Sequence, residues 1–247
     1  MKRFRWEILL GMYLIALSAV FYFIHYIIFK DAHHIFIYLL GDIAFVPVEV
    51  LLVTIIIHRL LEEREKQHKL EKLNMVIEVF FSEIGSMLLT YFSDCDSGLK
   101  DIRNQLMVTT RSTDREFQAI HNRFKKYEYT IDIHKISLTD LTEFLTGNRQ
   151  FLLRLLENPV LLEHESFTDL LRAVFHLTEE LRNRKDLEHL PDTDMQHLTG
   201  DIKRSYSQLV FEWLDYMKYL KRNYPYLFSL AVRLNPFDQN ASPIVKE

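Results

Sequence analysis

The chain has 247 residues, with 30 lysines and arginines against 34 aspartates and glutamates, for a net charge of −4. Because it has no basic excess, we expect no nucleic-acid partner. One cysteine excludes an internal disulfide framework, and six glycines and six prolines are few for a β-sandwich or barrel.

The charged residues are distributed unevenly along the chain. Residues 1–57 hold four basic and four acidic side chains, and residues 58–247 hold the remaining 26 and 30. The mean hydropathy of −0.06 is therefore the average of an apolar N-terminal region and a polar C-terminal one. This division predicts a membrane protein with a long polar tail.

Two hydrophobic segments predict a transmembrane helical hairpin over residues 1–57. Residues 8–29 contain no Asp, Glu, Lys or Arg, and residues 35–57 contain only Asp42 and Glu49. About 20 helical residues are enough to cross the bilayer core. A cleaved signal peptide is the alternative for the first segment, but the apolar run of this segment is longer than the hydrophobic region of a signal peptide.

Basic residues predict the orientation of the hairpin. Three of them lie within residues 2–5 and five within residues 59–72, whereas the connecting loop has only Lys30, next to Asp31. Because cytoplasmic flanks carry the excess of Lys and Arg, we expect both termini in the cytoplasm.

Asp42 and Glu49 predict a polar site inside the membrane. They lie seven residues apart on one helix face, and Pro47 between them frees the backbone carbonyl of Ile43. The first helix offers polar side chains at matching depth: Ser18, Tyr22 and His25. Three functions stay open for this site: structural pairing within or between subunits, a cation or proton pathway, and ligand or lipid-headgroup binding.

Residues 58–92 predict a juxtamembrane helix that continues the second span. An apolar seam begins there with alternating spacings of three and four residues: Leu70, Leu73, Ile77, Phe80, Ile84 and Met87. This spacing is typical of a coiled coil, so we expect a homo-oligomer that associates through the seam. The alternative is the core face of a helix packed on its own domain, because further apolar residues widen the stripe.

Residues 93–237 predict a cytoplasmic bundle of roughly five to seven helices, followed by a flexible tail over residues 238–247. The stretch 97–108 indicates a short helix. Residues 127–134 alternate between apolar and polar, which favours a strand, but without a partner strand we interpret them as a helix end and an extended connector. The fold class is therefore all-α.

Candidate metal ligands lie just before one predicted helix, where imidazole and carboxylate groups are adjacent: Glu163, His164 and Glu165. Further acid–histidine pairs are His176/Glu180, Asp186/His189 and Asp194/His197. They do not match a di-iron carboxylate bundle, and we interpret them as a solvated face. Nucleotide-binding, zinc-protease and hydrolase motifs are absent from the sequence, so we predict no cofactor and no catalytic residues.

Several stretches resemble an uncharacterised family of prokaryotic two-span inner-membrane proteins with a helical cytoplasmic tail. They are Leu40–Thr54, His58–Leu61, Leu156–Pro159, Glu163–Thr168 and Tyr224–Arg233. The resemblance implies a prokaryotic inner (cytoplasmic) membrane and carries no activity.

Three hypotheses follow for the function. The first is a non-enzymatic, homo-oligomeric membrane protein whose cytoplasmic bundle is a sensing or protein-interaction module with a protein partner. The second is an oligomeric ion channel or transporter component with Asp42 and Glu49 lining a cation or proton pathway. The third is a metal-dependent enzyme that uses the cluster at residues 163–165.

Overall fold

The structure is a computed structural model that describes residues 2–161 and 164–245, without the side chains of residues 2–5, 7, 101, 104 and 105. The described elements are helices, with one isolated β-bridge among them, so the all-α prediction is confirmed. Contacts divide the chain into two units, Met1–Lys66 and Gln67–Glu247.

The first unit consists of helix α1 and the first part of helix α2. Helix α1 spans Lys2–Phe29 and α2 spans Ala32–Phe80. Lys30 ends α1 in the left-handed conformation, at φ 52°, and the Asp31 carboxylate accepts the backbone N–H of His34 at 3.2 Å. The chain thus turns between the two helices in two residues, with a side-chain cap at the start of α2.

The second unit begins within α2 and continues through a π-helical turn at Phe81–Gly85 into α3, Ser86–Cys95. The other α-helices are α4 (Asp114–Phe124), α5 (Leu138–Gly147), α6 (Arg149–Leu156), α7 (Glu165–Arg182), α8 (Asp192–Asn223) and α9 (Pro225–Arg233). Helix α8 packs against α3, α4, α7 and α9 and so forms the centre of this unit.

Aromatic contacts join these helices in one core. The ring of Phe80 meets Phe167 of α7 edge-on, with centroids 5.3 Å apart, and Phe92 of α3 meets Tyr206 of α8 at 6.0 Å. All four rings are fully buried. Edge-to-face pairs of this kind add to the stabilisation that comes from burying the ring surface.

The stretch at residues 97–108, predicted as a short helix, is helical only as two 3₁₀ segments, Ser97–Asp101 and Arg103–Leu106. Side chains compete there with helical hydrogen bonding. Asp96 accepts the N–H of Gly98 at 3.1 Å, and the Arg103 guanidinium donates to the Ser93 carbonyl at 3.1 Å.

The alternating stretch at residues 127–134 contains the predicted connector, but α4 already ends at Phe124, and a 3₁₀ turn at Ile133–Lys135 follows the connector. Its one strand-like contact is a bridge between Ile131 and Asp96. The Asp96 carboxylate holds the connector in place, because it accepts the Tyr127 hydroxyl at 2.9 Å and the Thr130 N–H at 3.2 Å. A buried carboxylate thus gains the hydrogen bonds that its burial requires.

Candidate functional site

A cleft of about 760 Å³ lies between α1 and α2 in the first unit. Apolar side chains of both helices form part of its wall: Leu14, Leu17, Phe21, Phe29 and Ile35. Six polar or ionisable side chains also line it: Ser18, Tyr22, His25, His34, Tyr38 and Asp42. The cleft is therefore a polar site within the most apolar part of the chain.

The structure brings together four of the six residues predicted for the intramembrane site: Ser18, Tyr22, His25 and Asp42. Pro47 and Glu49 lie outside the lining. Both carboxylates are exposed, but Glu49 is about two helical turns further along α2 than Asp42, and of the two only Asp42 lines the cleft. The two carboxylates therefore have different surroundings.

His34 and Tyr38 belong to the cleft and are absent from the predicted set. The His25 and His34 rings stack with centroids 6.3 Å apart, and Tyr38 meets His34 edge-on at 4.7 Å. The Nδ1 atom of His25 is buried without a hydrogen-bond partner. Because His34, Tyr38 and Asp42 are spaced four residues apart, a search for polar residues on one face of α2 would have found them.

The apolar seam lies mostly in the core of its own unit. Four members are 0–4% exposed: Leu73, Ile77, Phe80 and Ile84. Leu70 and Met87 are exposed, at 44% and 57%. This placement corresponds to the alternative in which the stripe is the core face of a helix, and it makes the four buried side chains unavailable to a second chain.

The predicted metal cluster before α7 is described only in part, because Glu163 lies outside the described residues. His164 is the N-cap of α7, where its Nδ1 atom accepts the Phe167 N–H at 3.3 Å. Burial lowers the pKa of His164, against the opposing effect of the Asp215 charge. Glu165 is exposed. Within the described parts of the chain, neither belongs to a group of three metal-ligand side chains.

A cluster of potential metal ligands lies instead between α7 and α8. The ligand atoms of His176, Glu180 and His197 all lie within 4.8 Å of one another. Asp194, paired with His197 in the sequence, forms a two-bond ion pair with Arg184, with both distances at 2.7 Å. The signal that would have found this cluster is a His and an acid four residues apart on each of two consecutive helices.

Comparison with known proteins gives two matching family models. "MJ1433, N-terminal helical domain" matches residues 2–61, and "Uncharacterized protein MJ1433, C-terminal helical domain" matches residues 69–233. Protein MJ1433 of Methanocaldococcus jannaschii is 47% identical over 243 residues, which cover 98% of this chain and 97% of that relative. No solved structure matches. The chain therefore belongs to the MJ1433 family, with an N-terminal and a C-terminal helical domain.

Proposed function

We propose that the protein is anchored in a prokaryotic cytoplasmic membrane by α1 and the first part of α2. In this proposal, both termini are cytoplasmic, and the second unit is a non-enzymatic sensing or protein-interaction module. The observation that carries the proposal is the exposure of the apolar side chains in the first unit.

Among the residues that the structure describes, two helices are long and apolar enough to cross a membrane. They are Ile8–Phe29 and a window within Ala32–Cys95, and no residue of either window is buried. Apolar side chains face outward along both, for example Ile15 at 73% and Leu40 at 70% exposed. Soluble monomers rarely expose a continuous apolar patch of more than about 300–600 Å². A bilayer would remove this surface from water, which supports the anchoring role.

Cysteine labelling in intact cells tests the topology. The natural Cys95 is 5% exposed and so gives a low background. Cysteines are introduced at the exposed positions Ala32 and Ala241, one in each variant. A membrane-impermeant maleimide should label the Ala32→Cys variant directly and the Ala241→Cys variant only after permeabilisation. Recovery of the chain in the soluble fraction, or labelling of both variants in intact cells, would contradict the proposal.

We further propose that the protein is a homo-oligomer that associates through the hairpin. A methyl group at Gly11 or at Gly41 would meet no atom within 4 Å. Small residues with open space around them permit close approach of a neighbouring transmembrane helix. Light scattering of the chain in mild detergent should therefore give a particle that contains more than one copy.

A cation or proton pathway is the second candidate function, and the polar lining of the cleft favours it. Imidazole and carboxylate groups at membrane depth are the side chains that such pathways use. Asp42 lines the cleft and Glu49 does not, so Glu49→Gln is a matched control for Asp42→Asn. In proteoliposomes, Asp42→Asn should lower the flux at least tenfold, while Glu49→Gln leaves it near wild type. Absence of flux from the intact oligomer would reject this candidate.

A further inference from the structure

Helices α7 and α8 bring two similar residue pairs together. Helix α7 carries His176 and Glu180, and α8 carries His197 and Asp201, so the members of each pair are spaced i,i+4 along their helix. His176 contacts Asp201 and His197 contacts Glu180, so the two helices run antiparallel. Two imidazoles and two carboxylates thereby face one another across the helix interface.

The distances in this cluster are those of metal ligands. The Oδ2 atom of Asp201 lies 3.5 Å from Nε2 of His176 and 3.4 Å from Nε2 of His197. Glu180 oxygens lie 3.8 Å and 3.7 Å from the same two nitrogens. Four ligands in a tetrahedron, with bonds of about 2.0–2.2 Å to Zn²⁺, lie about 3.3–3.6 Å apart. The four imidazole–carboxylate distances therefore lie within a few tenths of an ångström of that spacing.

Asp201 provides an independent indication of a ligand. Its side chain is 3% exposed, and Oδ2 is buried without a hydrogen-bond partner. A buried, ionised carboxylate is costly unless its oxygens are hydrogen-bonded, paired or bound to a metal. The two imidazole nitrogens are too far away for charge-assisted hydrogen bonds, which are about 2.7–2.9 Å long. The unpartnered oxygen thus points at the position that a cation would occupy.

One oxygen of each carboxylate also contacts an arginine. Arg204 lies 3.1 Å from Oδ1 of Asp201, and Arg184 lies 2.8 Å from Oε2 of Glu180. Asp201 therefore keeps Oδ1 for an arginine and presents Oδ2 to the cluster, whereas Oε2 of Glu180 faces both Arg184 and His197 and its Oε1 faces His176. In metal sites, groups that bind to the ligand side chains in this way fix the orientation of those side chains.

We propose that His176, Glu180, His197 and Asp201 bind one divalent transition-metal ion, with Zn²⁺ as the best match. Neutral imidazoles and two carboxylates balance the charge of the ion, and mixed nitrogen and oxygen ligands suit Zn²⁺. His176 and His197 are about half exposed, at 45% and 53%, so a dissolved ion can reach the site. A bound ion would clamp α7 to α8 near the loop that joins them. This inference does not depend on the membrane proposal.

Metal binding to the full chain in mild detergent tests the proposal. After treatment with a chelator, the protein is titrated with Zn²⁺ by calorimetry and with Co²⁺ by visible absorption. We expect one ion per chain and the strong absorption of four-coordinate Co²⁺. His197→Gln and Asp201→Asn should each weaken Zn²⁺ binding more than about 100-fold, beyond the roughly 10–100-fold cost of losing an outer partner.

Two histidines outside the cluster give matched controls. His189 is 80% exposed and pairs with Asp186, and His164 caps α7. His189→Gln and His164→Gln should retain wild-type affinity and stoichiometry, and circular dichroism verifies the fold of each variant. The proposal is overturned if the wild type shows no saturable one-to-one binding. It is equally overturned if either control loses the ion, or if folded His197→Gln and Asp201→Asn both keep it.

Discussion

Glu212 is a carboxyl group buried in the core of the second unit. It lies on α8 and is 5% exposed. Loss of hydration raises its pKa from 4.5 to about 7, the Asp215 charge acts in the same direction, and a hydrogen bond with Ser166 opposes them. Near neutral pH this side chain is thus protonated in a larger fraction of folded molecules than a glutamate in water would be.

The raised pKa of Glu212 predicts how stability depends on pH. The folded state holds this proton more tightly than the unfolded state does, so the associated stability is present below pH 4.5 and is lost as the pH rises to about 7. The total change in the free energy of unfolding over this pH range is roughly 3 kcal/mol. Glu212→Gln should remove this loss and make the unfolding free energy at pH 8 higher than that of the wild type.

Denaturant unfolding at several pH values measures the effect. The buried Trp213 reports on this region by fluorescence, and Trp6→Phe removes the other tryptophan. Glu143→Gln replaces an exposed glutamate of α5 and serves as the control. Equal pH dependence of the Glu212→Gln variant and the wild type would contradict the raised pKa.

The π-helical turn between α2 and α3 depends on a glycine. A Cβ atom at Gly85 would lie 2.6 Å from a ring carbon of Phe81 and 2.8 Å from one of Phe80. Both rings are almost fully buried, and the Phe81 ring stacks on Tyr216 at 5.3 Å between centroids. The rings therefore have little room to move away from an added methyl group.

Gly85→Ala should destabilise the second unit. Overpacking in a core costs about 1–3 kcal/mol, which exceeds the gain of about 1 kcal/mol that alanine gives over glycine in a helix. Gly200→Ala is the matched control, because a Cβ atom at Gly200 in α8 would meet nothing within 4 Å. That control should raise the unfolding free energy by about 1 kcal/mol. Equal effects of the two variants on denaturant midpoints would contradict the packing argument.

Local sequence signals identify most of the elements and explain where prediction fails. The capping box at Thr113 and Glu116 opens α4, and Ser137 caps α5, because each signal acts within one turn of its helix. The stretch at residues 97–108 differs because its geometry depends on Asp96 and Arg103, whose contacts lie outside the helical hydrogen-bond pattern.

At the scale of the whole molecule, the hairpin was more predictable than the α7–α8 cluster. A two-residue turn fixes which positions of α1 face α2, because residues at equal distances from the turn lie at the same level of the hairpin. This rule predicted that Tyr22 lies near Asp42, and both line the cleft. The pairing of His176 with Asp201 depends instead on the path of residues 183–191 and on how two antiparallel helices pack. Sequence periodicity carries no information about that register.

The burial of the seam predicts which part of the chain associates. The core of the second unit covers four members of the seam: Leu73, Ile77, Phe80 and Ile84. This unit begins at Gln67. A fragment that begins at Gln67 should therefore be water-soluble and monomeric, whereas the full chain should be oligomeric and require detergent. Light scattering of the two forms at equal concentration measures this difference.

The seam and the hairpin give opposite results in this comparison. Leu70→Ser and Met87→Ser alter the two exposed members of the seam, so they should leave the mass of the full-chain particle unchanged. Gly41→Leu fills open space on α2 and should lower that mass by hindering close approach of helices. If the fragment that begins at Gln67 were a dimer, the second unit would have to carry the self-association, because this fragment lacks the hairpin.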